Sequence, residues 1–115
     1  MILTNDYKIG LLNLMHLLIR SDHEISALEL NFFEEIRREE KIDDQLFDDF
    51  RKSLNNKSEK EIYSDGLALI GKCSTSLKIR AFRLLTGMAL ADKNIDSNET
   101  RFLLESSKSF GLNLE

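Results

Sequence analysis

Two short segments carry the side chains best suited to chemistry. They read Asp22-x-Glu24-x-Ser26-x-x-Glu29 and Asp92-x-Asn94-x-Asp96-x-x-Glu99. Oxygen ligands at alternate positions are what a hard divalent cation such as calcium, magnesium or manganese takes. The candidate metal ligands are therefore Asp22, Glu24 and Glu29 in one turn and Asp92, Asp96 and Glu99 in the other. Neither segment is an EF-hand loop, because the closing glutamate comes too early, the turn glycine is missing and each glutamate falls in the first turn of an expected helix. Helix capping is the competing reading. Ser26 with Glu29, and Asp96 with Glu99, have the spacing of reciprocal capping boxes. The positive end of a helix dipole stabilises such carboxylates and disfavours a cation beside them. Capping takes precedence, and a metal site favours cooperation of the two turns over one turn acting alone.

Other chemistry is sparse. Gly66-Leu67-Ala68-Leu69-Ile70-Gly71-Lys72-Cys73 follows most of a phosphate-binding GxxxxGK pattern, but cysteine stands where the magnesium-binding hydroxyl belongs. A phosphate loop also needs a strand before it, and nothing upstream reads as one. Cys73 is the single cysteine, on the inward face of its expected helix and without a base in reach, which makes it a buried structural thiol. His16 lies in a leucine-rich helix as a core or edge residue, whereas His23 sits in a turn, where it can at most join the acidic site. No Ser-His-Asp order or HExxH pair occurs, and no catalytic residue is assigned.

The elements that must position the acidic turns are helices. Proline, tryptophan and valine are absent and leucine is the commonest apolar residue, a composition that favours helix over strand. Thr4 or Asn5 caps a first helix to about Arg20, with Leu11, Leu12, Leu14, Met15, Leu17, Leu18 and Ile19 covering most faces. Ser26 opens a second helix, with Ile25 and Leu30 as its hydrophobic staple, and Asp43 a third, with Ile42 and Phe47 as staple and Phe50 inward. Ser58 with Glu61 opens a fourth, facing inward through Ile62, Gly66 and Ile70. Ser74 or Ser76 caps a fifth carrying Leu77, Ala81, Leu85, Met88 and Ala89, the second central helix. Asp96 starts a sixth, which Gly111 ends.

A chain of 115 residues with a formal charge of −4 has the size of one domain, spanning residues 1–115. Its acidity argues against a nucleic-acid partner. Lys78, Arg80 and Arg83 are the best basic cluster, and their helical spacing reads as a solvated stripe. The runs Glu34-Glu35, Glu39-Glu40 and Asp48-Asp49, alternating with Arg37, Arg38 and Arg51, read as a solvated face in the same way. The lone cysteine fits a reducing, cytoplasmic setting, and the apolar stretch Ile9 to Ile19 is too short for a transmembrane segment.

Shifting the sequence by 70 places lays Asp22, Ile25, Glu29 and Phe32 on Asp92, Ile95, Glu99 and Phe102, and Leu14 on Leu84. Two hairpins of one kind are implied. The segments Ser21 to Glu29 and Ala91 to Glu99 resemble the Ala-Asp-Gly-x-Ile-x-x-x-Glu repeats of the TerB-like tellurite-resistance family, with His23 and Lys93 in place of the motif glycine. The resemblance covers most of the chain. It implies a bacterial cytoplasmic setting linked to stress and tellurite resistance, an acidic surface for divalent cations and no enzymatic reaction. The expected fold is all-α, a compact six- to seven-helix bundle built from two related helix-turn-helix hairpins. The expected function is a non-enzymatic module that binds a protein partner. Two rivals remain: a metal-dependent hydrolase whose Asp22, Glu29, Asp92 and Glu99 converge in one pocket, and a purely structural interaction module without metal.

Overall fold

The computed structural model describes residues 3–20, 27–90, 101, 104, 105 and 108. Five helices run in the order α1 (Asn5–Arg20), α2 (Ala27–Glu39), α3 (Asp44–Ser53), α4 (Glu59–Gly71) and α5 (Thr75–Leu90), with a 3₁₀ turn at Leu54–Asn56. No strand occurs among the described residues. Arg101, Leu104, Glu105 and Lys108 are helical where a sixth helix is expected. Its limits, the Asp96 cap and the Gly111 stop lie outside the described residues, as do the Ser26 cap and Ile25. The count of six to seven helices therefore goes beyond what is described.

Local chemistry sets the helix starts. The amide of Tyr7 donates to Thr4 Oγ1 at 3.2 Å, that of Leu46 to Asp43 Oδ1 at 2.8 Å, that of Glu61 to Ser58 Oγ at 3.1 Å and that of Leu77 to Ser74 Oγ at 3.3 Å. Each bond satisfies a donor that has no partner within its helix. Thr4 and Ser74 thus serve where two candidates were open. α1 starts at Asn5 and α5 at Thr75, 70 places on, and each runs for 16 residues.

α2 ends differently. The amide of Ile42 donates to the Arg37 carbonyl at 3.0 Å and that of Lys41 to the Arg38 carbonyl at 3.2 Å, the bond pair of a Schellman motif. Lys41 takes the left-handed position usually held by glycine, with φ 57°, at a cost of about 1–3 kcal/mol. The turn sends Ile42 into the core, in the same buried cluster as Ile36 and Phe50. Leu30 is 49% exposed, and its expected staple partner Ile25 lies outside the described residues.

The core is built around α1, whose Leu11, Leu12, Leu14, Met15, Leu17 and Leu18 are buried, and it extends to Leu77, Ala81, Leu85 and Met88 on α5. The side chains of Ile19 and Ala89 lie outside the described residues. α1 packs most extensively against α4, and also meets α5 and α3. Two glycines permit that closeness. A Cβ on Gly10 would stand 2.9 Å from Ile70 Cγ1 and 3.0 Å from Leu69 Cβ, and one on Gly66 3.0 Å from Leu14 and 3.1 Å from Asn13 Cβ. The Cα radius of gyration is 13.1 Å, the value of a compact domain.

Gly10→Ala is accordingly expected to lower stability by about 1–2 kcal/mol, because overpacking outweighs the gain in helix propensity. Gly71→Ala meets nothing within 4 Å and is expected to raise stability by up to about 1 kcal/mol. Urea denaturation of the two variants checks this. Equal effects of the same sign would show that the α1–α4 approach is not tight.

Candidate functional site

Of the six candidate metal ligands, Asp22, Glu24, Asp92, Asp96 and Glu99 lie outside the described residues. Glu29 is the third residue of α2, with its side chain also outside them. What the structure does describe is the helices on either side of residues 21–26: α1 ends at Arg20 and α2 starts at Ala27, and both are anchored by one buried polar cluster.

That cluster centres on Glu40, only 1% exposed at the end of α2. Tyr7 of α1 donates its hydroxyl to Glu40 Oε1 at 2.7 Å. Arg80 of α5 donates through Nε to Oε1 at 2.7 Å and through Nη2 to Oε2 at 2.6 Å. The paired guanidinium contact is the bidentate geometry that arginine forms best with carboxylate. Burial by itself pushes the Glu40 carboxyl up, but the hydrogen bonds from Arg80 and Tyr7 outweigh it and hold it below the usual glutamate range. Burial, then the bond to Glu40, pushes the Tyr7 phenol up. The bond to Glu40 likewise raises Arg80. A carboxylate with three short donors and a depressed proton affinity is a poor base, and a phenol so shifted is a poor nucleophile. The arrangement suits the joining of three helices rather than proton transfer.

This corrects the reading of Glu39-Glu40 and of Arg80 as parts of solvated faces. Glu39 is exposed as expected, but Glu40 is not. The signal lay in helical spacing: Phe33, Ile36 and Glu40 fall at i, i+3 and i+7, one stripe of α2, and Phe33 and Ile36 are buried. With Arg80 engaged by Glu40, the Lys78, Arg80 and Arg83 group loses its middle charge as a phosphate contact.

The remaining sequence candidates take structural places. Gly66 to Gly71 are all inside α4, with Gly66 facing Leu14, so the GxxxxGK segment is helix rather than a phosphate loop. Cys73 is half-buried and its thiol donates to the Leu69 carbonyl at 3.4 Å; burial pushes the thiol up. His16 is half-buried and meets Phe50 edge-on, with ring centroids 6.1 Å apart. Arg37 stacks on Phe47, 4.1 Å from its ring centroid, and pairs with Asp44. No described group of three or more His, Cys, Asp or Glu side chains is placed to hold a metal, and no described helix is long and apolar enough to cross a membrane.

The family model described as tellurite resistance protein TerB matches residues 8–115. The chain belongs to the TerB family. No curated protein sequence and no solved structure matches it significantly. The match to TerB takes in both acidic segments and every described helix but the first residues of α1.

The Glu40 cluster gives a signed expectation. Because the folded carboxyl lies below its ordinary range, its stabilisation is complete above the unfolded value and is lost as pH falls through the folded one. Glu40→Gln is expected to cost about 2–3 kcal/mol at neutral pH. The gap to the parent should close as the medium is acidified below the glutamate range. A gap that stays constant down to acid pH in denaturant titrations would contradict this.

Proposed function

We propose that this TerB-family chain is a non-enzymatic interaction module of a bacterial cytoplasmic stress or tellurite-resistance system. It engages a protein partner and carries divalent cations on its two acidic turns. The observation that carries the reading is the TerB match through residues 8–115, which includes Asp22, Glu24, Glu29, Asp92, Asp96 and Glu99. The matched starts and lengths of α1 and α5, and their hydroxyl caps at Thr4 and Ser74, support a duplicated hairpin in which each buried helix delivers one acidic turn. In this reading calcium, magnesium or manganese bridges the two turns, with oxygen ligands from both.

Glutamine replaces glutamate in a capping box but does not supply the charge a hard cation needs. Glu29→Gln combined with Glu99→Gln is therefore expected to fold normally and to lose the cation. In amide spectra of the parent, metal at about millimolar concentration should perturb residues 21–29 and 91–99 together, and the double variant should not respond. A parent without a localised response, or a variant that responds equally, overturns the cation-binding part.

A further inference from the structure

A second candidate site lies away from the acidic turns, in the groove between α1 and α4. It is a cleft of about 320 Å³ lined by Asn13 and Ile9 of α1, by Ala68, Leu69 and Lys72 on the α4 side, and by the Lys57–Asp65 ion pair. Ser53 at the end of α3 completes the lining, and its hydroxyl already donates to the Phe50 carbonyl. Such a volume is in the range of small-ligand pockets. Asn13 is its unusual member. It is only 4% exposed and, with Glu40, is one of two buried polar residues described. Glu40 is fully bonded, whereas the Asn13 carboxamide makes no hydrogen bond among the described residues. An unpaired buried amide is costly, so a group that pairs with it is favoured.

The lining specifies that group. A carboxamide offers donors and an acceptor together, and another amide complements both. Ile9, Ala68 and Leu69 supply an apolar wall. Lys57 is neutralised by Asp65 at 2.9 Å, but no carboxylate pairs with the exposed Lys72 among the described residues. One positive charge is therefore left over at the rim. Asn13 stands opposite Gly66, so Lys72 lies about 9 Å further along the α4 axis. Its flexible stem, tilted towards the helix N-terminus, spans that gap over a ligand of amino-acid size.

We infer that the α1–α4 cleft binds an aliphatic acylamino carboxylate, its amide on Asn13, its side chain on Ile9 and Leu69 and its carboxylate at Lys72. This is the chemistry of an N-acyl amino acid and of the carboxyl end of a peptide. The inference is independent of cations on the acidic turns.

The test is a titration of the nitrogen-15-labelled full chain with N-acetylleucine. The side-chain amide signals of Asn13 are expected to move, with a Kd of about millimolar. The neutral N-acetylleucinamide should bind at least about fivefold more weakly, and Lys72→Gln should weaken the acid by a similar factor. Asn13→Leu should stay folded, since an apolar replacement of an unpaired polar group is tolerated, and should abolish binding. If that variant does not fold, the exposed Lys72→Gln and the neutral ligand still decide. A tripeptide acid, Ala-Ala-Leu, that binds more tightly than N-acetylleucine identifies a peptide terminus as the source, and equal or weaker binding identifies the small molecule. Asn13 signals that stay fixed up to about 20 mM ligand, or neutral amide and acid binding alike, overturn the inference.

Discussion

A carboxylate removed from water must be compensated, and in this chain the compensation of Glu40 ties the bundle together. The ionised group gives up its hydration and recovers it as hydrogen bonds from Tyr7 and Arg80, donors separated from it by 33 and 40 positions in sequence. Such a bond set is directional where apolar packing is not. It fixes where the C-terminal end of α2 sits against α1 and α5. Lys41 follows immediately, strained at φ 57°, and the turn it makes places Ile42 in the core. Strain of this kind persists only where the surroundings over-determine it, and here the Glu40 bonds and the burial of Ile42 flank it on both sides.

The second constraint is closeness. Gly10 and Gly66 let α1 and α4 approach until neither tolerates a methyl group, and Gly87 of α5 does the same for the ring of Phe32 on α2, whose Cζ would lie 2.8 Å from an added Cβ. Packing at that distance makes the helices behave as a rigid unit. α1 and α5 are the helices that precede the two acidic segments in sequence, so under the function proposed above a cation shared by those segments would rely on this packing.

Much of this was legible in the residues. Thr4, Asp43, Ser58 and Ser74 announce helix starts because capping is local, decided within three positions. The leucine-rich α1 and α5 are visible as core because nearly all of their faces are apolar. Glu40 shares a stripe of α2 with Phe33 and Ile36, which marks it as inward, but its pairing with Arg80 is tertiary and a single sequence does not reveal it. The glycines of α1 and α4 carry no mark of close approach in a single sequence, since an isolated helical glycine is compatible with an open face, as at Gly71. The acidic turns are plain in sequence, and their side-chain geometry lies outside the described residues.

The claim that the Glu40–Arg80 pair organises the bundle is tested most directly by a double-mutant cycle with Glu40→Met and Arg80→Met at neutral pH. Arg80 is 41% exposed at its side chain, so solvent softens the loss when Glu40 alone is replaced, whereas Arg80→Met alone strands a buried charge. The account predicts that the double variant is more stable than the sum of the single losses, with a coupling of about 1–3 kcal/mol. Single losses that add to within about 0.5 kcal/mol would contradict it.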